Sequence, residues 1–398
     1  MKKKIAILGS TGSIGRNALK VIDALGGKYE VAALTAHNNI ELLAEQVKKY
    51  RPRIAVVTNP AKVDEFKRIL DSGFRGNDTT DTLPCRQRLN EVETYTDLTA
   101  AACDAEIDIV IAAVVGAAGL EAILNAAKAG KVLAIANKEP LVIAGSLLTK
   151  VVKESGAKIL PVDSEHSAVF QALQAGDIKE VSRIILTASG GPFRGATKEQ
   201  IQNATIEQAL AHPTWNMGKK ITVDSATMMN KALEVIEAKW LFNVPAEKID
   251  ILVHPESIIH SMVEFVDGSV IAQMSAPDMC LPIQYALTFP HRVKGITKHL
   301  RLEEIGRLTF EQPDMEVFRA LKIGYEVAKV DGTAAAVFNA ANEAAVKEFL
   351  EGKIKFVNIV ELIERCLDKH NFKQDASLEE LLSADNWARN EVTKWLNK

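Results

Sequence analysis

The sequence predicts an α/β protein in three parts: a doubly wound, Rossmann-like N-terminal domain, a central α+β domain and a C-terminal α-helical domain. Three observations predict it. Continuous Val/Ile/Leu runs alternate with helical stretches over residues 1–150, which means a parallel sheet covered on both faces. A cluster of strands with few helices follows over 151–288, the mark of an α+β layer. After a proline-punctuated linker at 289–314, nearly all of 315–398 carries a helical period.

In the first part, residues 4–8, 30–35, 53–57, 108–115 and 131–135 read as strands, with helices at 14–25 and 40–50. Right-handed crossovers then give the doubly wound arrangement. Residues 72–88 are polar and turn-rich with neither period, so they read as a surface loop or insertion. In the second part, strands are expected at 158–162, 183–187, 249–253, 261–266 and 270–274, with a tight hairpin at Asp267-Gly268 between the last two. Helices are expected at 168–175 and 228–242, then at 317–328, 333–350, 359–366, 377–382 and 387–396.

Composition narrows the function classes. The 398 residues carry 48 Lys plus Arg and 51 Asp plus Glu, a net charge of −3, which gives no general reason to hold nucleic acid or an anionic membrane. A 47% hydrophobic and 25% charged content is that of a globular protein. The longest apolar run, 109–120, is too short to span a bilayer. Only four apolar residues follow the basic start Met1-Lys2-Lys3-Lys4, so no signal peptide is read there. Cys85, Cys103, Cys280 and Cys366 are scattered, which favours free thiols in a reducing cytoplasm over a disulfide framework or zinc site.

Gly9-Ser10-Thr11-Gly12-Ser13-Ile14-Gly15 follows the first strand and opens the first helix. Glycines there admit a pyrophosphate to the backbone, and the helix N-terminus supplies N–H groups and positive dipole; an empty glycine turn is the alternative. After the second strand, Thr35-Ala36-His37-Asn38-Asn39 lacks the acid that would bind a ribose 2′-hydroxyl, favouring NADP(H) over NAD(H), or is a plain polar loop. Asn137-Lys138-Glu139 follows the fifth strand, where ligands of doubly wound folds bind, although a Glu before Pro140 also suits an ordinary helix start.

Asp163-Ser164-Glu165-His166 follows the strand at 158–162. If that strand runs on, Asp163 and Glu165 share a face and could hold one hard cation; on these residues alone, two surface acids is the stronger reading. The segment Ser225 to Glu234 shifts the balance. Asp224 or Ser225 would cap a helix on which Asn230 and Glu234 share a face, and serine, amide and ammonium early in one helix suit a phosphate. Glu234 would then make the acid pair a three-carboxylate site. Thr187-Ala188-Ser189-Gly190-Gly191 is a second phosphate-suited loop, or a simple turn. In His212-Pro213-Thr214-Trp215-Asn216-Met217-Gly218, a Trp between two helix breakers reads as a lid, or as a buried anchor.

Together these segments resemble the 1-deoxy-D-xylulose 5-phosphate reductoisomerase family over nearly the whole chain. The resemblance rests on six ordered motifs: GSTGSIG at 9–15, ANKE at 136–139, PVDSEH at 161–166, SGGPFR at 189–194, HPTWNMG at 212–218 and VDSATMMNKALE at 223–234. It implies that Thr11, Gly12, Ser13 and Ile14 bind the NADPH pyrophosphate, with His37, Asn38 and Asn39 near the 2′-phosphate and Asn137, Glu139 and Gly218 completing the cofactor site. His37 departs from the smaller or basic residue often found at its position. The resemblance also implies that Asp163, Glu165 and Glu234 hold Mg²⁺, Mn²⁺ or Co²⁺. Lys138, Ser164, Glu165 and His212 would contact the substrate, with Lys138, Glu165 and His212 catalytic and Glu234 nearby. Ser189, Ser225, Asn230 and Lys231 would bind its phosphate. A cytoplasmic homodimer acting on a small phosphorylated sugar is expected.

The implied reaction is rearrangement of 1-deoxy-D-xylulose 5-phosphate, with the metal polarising its carbonyl as a Lewis acid, and hydride transfer from NADPH to give 2-C-methyl-D-erythritol 4-phosphate. The competing class is another NADP-dependent dehydrogenase of a small phosphorylated or amino-acid-derived carbonyl. Its semialdehyde type needs a placed nucleophilic Cys, and neither Cys103 nor Cys280 sits in such a motif. A non-catalytic nucleotide sensor would have no use for the three carboxylates.

Overall fold

The computed structural model describes residues 2–72, 92–215 and 217–396. The loop or insertion expected at 72–88 therefore falls, beyond Ser72, outside the described residues. The chain forms two compact units that do not follow chain order. The first contains residues 1–137, 150–163 and 279–297; the second contains 138–149, 164–278 and 298–398. The boundaries expected at 150, 288 and 314 are cuts along the chain, whereas these units are each built from separated segments.

The first unit is built on a sheet in the order β4-β3-β2-β1-β5-β6-β7, parallel at every pairing. Its strands are β1 (Lys3–Leu8), β2 (Tyr29–Ala36), β3 (Ile54–Val57), β4 (Glu93–Tyr95), β5 (Ile109–Ala112), β6 (Val132–Ile135) and β7 (Lys158–Pro161). Ile5 to Leu8 and Ile54 to Val57 are wholly or almost wholly buried, as expected of strands covered on both faces. Strand order reverses on either side of β1, so the crevice where a doubly wound sheet binds ligands opens at the carboxyl ends of β1 and β5. The short β4 was not legible. The expected strand at 158–162 is a correction: it extends this first sheet as β7 instead of belonging to the central α+β layer, because its parallel register continues from β6.

Helix α1 (Ser13–Ala24) buries Ala18, Leu19, Val21 and Ile22, the stripe its apolar spacing sets. Helix α2 (Ile40–Tyr50) starts on Asn39, whose Oδ1 accepts from the Leu42 N–H. Later in the chain, helix α12 (Cys280–Thr288) returns to this unit and packs on α1, β6 and β7. The Tyr29 hydroxyl ties it to β2 by donating to the Leu287 carbonyl at 2.7 Å.

The second unit holds a four-stranded mixed sheet in the order β11-β10-β8-β9: β8 (Val181–Ala188), β9 (Ile249–Val253), β10 (Ile259–Phe265) and β11 (Val270–Met274). Strand β10 is antiparallel to both neighbours, and β8 pairs with β9 in parallel. The β10–β11 hairpin turns at Gly268, whose φ of 85° is the left-handed conformation glycine adopts without strain. Helix α7 (Ser164–Ala172) packs on β10 and β11. Helices α10 (Lys219–Ala226) and α11 (Met229–Phe242) adjoin one another, and α14 (Arg319–Val330), α15 (Thr333–Leu350), α16 (Phe356–Lys369) and α17 (Leu378–Leu396) form the helical layer. Glu311, in the stretch read as linker, pairs with Val253.

Two helix expectations are corrected. The helices expected at 377–382 and 387–396 are one helix, α17. Its polar middle stays helical because Asp385 receives two hydrogen bonds from Arg389 one turn later, at 2.7 and 3.0 Å. Asp224 and Ser225 do not cap α11; they lie in the last turn of α10, and Met228 (φ 61°) breaks the path between the helices. Thr227 serves the junction: its Oγ1 accepts from the Met229 N–H and lies 3.1 Å from the Val223 carbonyl it donates to.

Candidate active site

At the carboxyl edge of the first sheet, the glycine turn is shaped by close approach. Gly9 has φ 85°, and a Cβ there would meet the Ala113 carbonyl at 2.5 Å; one on Gly15 would meet the Gly9 carbonyl at 2.4 Å. These two glycines fold the turn onto β5 and onto itself. Gly12 is the exposed N-cap of α1 and has no side-chain cap, so Thr11, Gly12, Ser13 and Ile14 lead into first-turn N–H groups as an anion site requires. After β2, His37 Nδ1 lies 2.9 Å from Thr58 Oγ1, and Asn38 Oδ1 accepts from Asn59 Nδ2 at 2.7 Å. His37, Asn38 and Asn39 are all exposed, with Asn39 also serving as the α2 cap. After β6, Asn137 is buried, and neither its Oδ1 nor its Nδ2 has a hydrogen-bond partner. A buried amide with both ends unmet fits another amide as its partner, as a nicotinamide would supply.

In the second unit, Glu139 opens α6 (Glu139–Ser155), and Lys220 Nζ lies 3.5 Å from its Oε1 and 2.9 Å from Asp224 Oδ2. Burial works against the Lys220 charge, but Asp224, Glu139 and Glu343 outweigh it and hold the ammonium above its usual range. Gly218 is the exposed N-cap of α10.

The acid cluster gathers at the start of α7 and on α11. Asp163, Glu165 and Glu234 each offer one carboxylate oxygen, all within 4.8 Å of one another. The route to this convergence corrects the expected one. The strand ends at Pro161 and Ser164 begins α7, so Glu165 sits in the first turn of a helix, and alternation along a strand plays no part. Glu234 is fully buried one turn after Asn230, whose Nδ2 donates to Glu234 Oε1 at 2.6 Å. Lys231 Nζ lies 3.0 Å from Glu165 Oε1 and 2.5 Å from Glu234 Oε2, and Lys138 Nζ is 3.5 Å from Glu234 Oε1. Ser164 Oγ donates to Glu165 Oε2 at 2.6 Å. Three hard oxygen donors, with the buried Asn230 Oδ1 unmet beside them, fit a hard divalent cation.

Behind the cluster, buried His166 reaches the Glu234 carbonyl through Nε2 at 3.1 Å and lies 3.5 Å from Glu237 Oε2 through Nδ1. His166 and Glu237 were not singled out from the sequence; an acid three residues after Glu234 carries no signal without the packing. His260 is another missed residue, buried on β10, with its charged form disfavoured by burial although Glu165 opposes the shift.

The hydroxyl-bearing loops also come together. Gly191 (φ 64°) runs so close to α10 that a Cβ would meet the Ser225 carbonyl at 2.5 Å, which brings the Ser189 loop beside Ser225. Ser189 Oγ accepts from the Gly191 N–H at 3.2 Å and lies 3.0 Å from His212 Nε2. Trp215 is half-buried, 6.4 Å from the His260 ring between centroids.

A doubly wound sheet with a ligand-ready glycine turn, joined to an α+β unit carrying paired acids and lysines, defines a dinucleotide-binding α/β class. Within it, models of 1-deoxy-D-xylulose 5-phosphate reductoisomerase match residues 5–145, and models of that family's C-terminal domains match 159–242 and 274–391. The chain belongs to the 1-deoxy-D-xylulose 5-phosphate reductoisomerase family. It is 48% identical over 394 residues to the reductoisomerase of Caldanaerobacter subterraneus subsp. tengcongensis, covering 98% of this chain and 99% of that one. It is 47% identical over 400 residues to reductoisomerase 1 of Bacillus thuringiensis subsp. konkukian, covering both chains fully. The structure matches the Zymomonas mobilis reductoisomerase in complex with NADPH at a TM-score of 0.89 and 40% identity over the whole of both chains. It matches a reductoisomerase in complex with NADPH, fosmidomycin and magnesium at 0.91 and 38%, over 99% of this chain and 98% of that one. Among the described residues, no helix is long and apolar enough to cross a membrane.

Proposed function

We propose that this chain converts 1-deoxy-D-xylulose 5-phosphate to 2-C-methyl-D-erythritol 4-phosphate, using NADPH and a divalent cation, Mg²⁺ or Mn²⁺. The observation that carries the reading is the Asp163–Glu165–Glu234 oxygen cluster with its lysines, in a chain of this family. When bound, the cation supplies Lewis-acid polarisation of a carbonyl and the nicotinamide supplies hydride. The protein binds, orients and excludes water.

Asp163, Glu165 and Glu234 hold the cation. Lys138, beside Glu234, and Ser164, beside Glu165, contact the substrate's oxygens next to it. Ser189, Ser225, Asn230 and Lys231 take the phosphate, and His212 closes on the substrate from the Ser189 side. Thr11, Gly12, Ser13 and Ile14 receive the pyrophosphate; His37, Asn38 and Asn39 face the 2′-phosphate; Asn137, Glu139 and Gly218 complete the cofactor site. NADPH oxidation on addition of 1-deoxy-D-xylulose 5-phosphate, with and without Mg²⁺, tests the reading. No oxidation with metal present, or full turnover under excess EDTA, overturns it.

We also place the enzyme in the cytoplasm as a homodimer. Cys103, Cys280 and Cys366 are free thiols, suited to a reducing compartment. The edge strand β11 exposes Val270 and Ile271, near exposed Val266, an apolar edge that a second copy would cover. Light scattering of the purified protein checks the state; a monomer mass at micromolar concentration rules the dimer out.

A further inference from the structure

We propose that the Lys231 ammonium is a stand-in cation, one that holds the metal carboxylates together until a divalent ion arrives and is then released to bind an anionic substrate. The inference rests on the metal site proposed above and assigns Lys231 a second position.

Glu165 and Glu234 come from different helices, and Glu234 is fully buried. Two carboxylates this close in a partly dry site repel each other unless a positive charge lies between them. Lys231 fills that place, at 3.0 Å from Glu165 and 2.5 Å from Glu234. Its side chain is almost fully buried, as a charge is when enclosed by its partners. Lys138 Nζ lies 3.5 Å from Glu234 Oε1, beside the pair of acids that Lys231 bridges.

A divalent cation coordinating the same oxygens brings two positive charges into the space Lys231 occupies. The ammonium then loses its attraction to both carboxylates and is repelled by the ion. Its four-carbon stem lets it turn away without moving α11, and it needs a new anion. A substrate phosphate beside Asn230 supplies one. Metal entry and anion binding are therefore linked: each favours the lysine position the other requires. Linkage makes the coupling reciprocal, by the same factor in both directions.

The test uses Mn²⁺ binding to the full-length protein, followed by the free-ion electron paramagnetic resonance signal, with and without inorganic phosphate and without any turnover. Wild-type protein is expected to bind Mn²⁺ about tenfold more tightly when phosphate is present. K231M is expected to bind Mn²⁺ more tightly than wild type in the absence of phosphate, because the competitor is gone, and to show no phosphate effect. If wild type binds no Mn²⁺, the metal-site reading itself fails. If it binds but K231M binds equally or more weakly, the stand-in role is wrong. A K231M gain that keeps the phosphate effect reports only the lost charge and overturns the exchange. K231R guards against misfolding. It retains the positive charge that competes with the metal, so it should bind Mn²⁺ less tightly than K231M; affinity equal to that of K231M without phosphate counts against the proposal.

Discussion

His212 Nε2 stands 3.0 Å from Ser189 Oγ, while its Nδ1 accepts the backbone N–H of Thr214 at 3.1 Å and of Trp215 at 2.9 Å. A nitrogen accepting two N–H groups carries no proton, so the neutral ring holds its proton on Nε2 and donates it to Ser189. The serine oxygen already accepts from Gly191, which leaves the Ser189 hydroxyl hydrogen to donate elsewhere. Neutral His212 thus organises its own loop and aims a serine donor.

Protonation of Nδ1 would break both loop bonds, and burial already holds the His212 pKa below its ordinary value of 6.5. A depressed folded pKa gives stability that is present above the unfolded value and lost as pH falls through the folded one. The loop is therefore expected to keep its form above about pH 6.5 and to loosen below it. Proton NMR of the His212 ring checks this: a titration midpoint above 6.5 would contradict the neutral-ring arrangement.

Glu234→Gln should leave NADPH affinity nearly intact and remove most turnover. It keeps the Asn230 contact possible but deletes a charged oxygen from the cluster, which should weaken Mn²⁺ binding by roughly tenfold or more. Calorimetry with each ligand separates the two effects.

NADPH should be preferred to NADH, and Asn38→Asp should reverse the preference. The new carboxylate can still accept from Asn59, so the local hydrogen bond survives and only the charge changes. Repulsion of a 2′-phosphate is expected to weaken NADPH binding by about tenfold. Fluorescence titration with both nucleotides decides it; equal affinities in the unmutated protein would refute the preference.

Trp215 is half-buried, which fits a plate over a ligand better than a core anchor. Trp215→Ala should therefore raise KM and slow turnover with little change in melting temperature. Truncation of a buried core Trp costs about 3–5 kcal/mol, and a loss of that size in a thermal melt would mean the side chain is structural.

The sequence carried the parallel sheet, the glycine turn and the identity of the clustered acids, because buried runs and short motifs are local signals. It misplaced β7, since a four-residue strand does not say which sheet will accept it. It brought Asp163 and Glu165 together for the wrong reason: alternation was assumed where a helix begins at Ser164. Ser225 looked like a cap because Ser at that spacing usually is one, and the left-handed turn at Met228 that displaces it has no sequence mark. Glu237 and His260 were invisible, and His166 stood in the motif at 161–166 without a role, because only tertiary packing shows what these side chains meet.

The first unit needs residues 279–297 to be complete, with Leu287 of α12 receiving the Tyr29 bond. A ribosome delivers those residues long after the β1–β7 sheet has emerged. Until then, the face of α1 that meets α12 is bare, and the nascent chain carries an unfinished layer through the synthesis of more than a hundred further residues. Cutting the gene near codon 150 would leave a still less complete fragment, one that lacks both its last strand and its covering helix. Such a fragment is expected to be captured by chaperones or to precipitate.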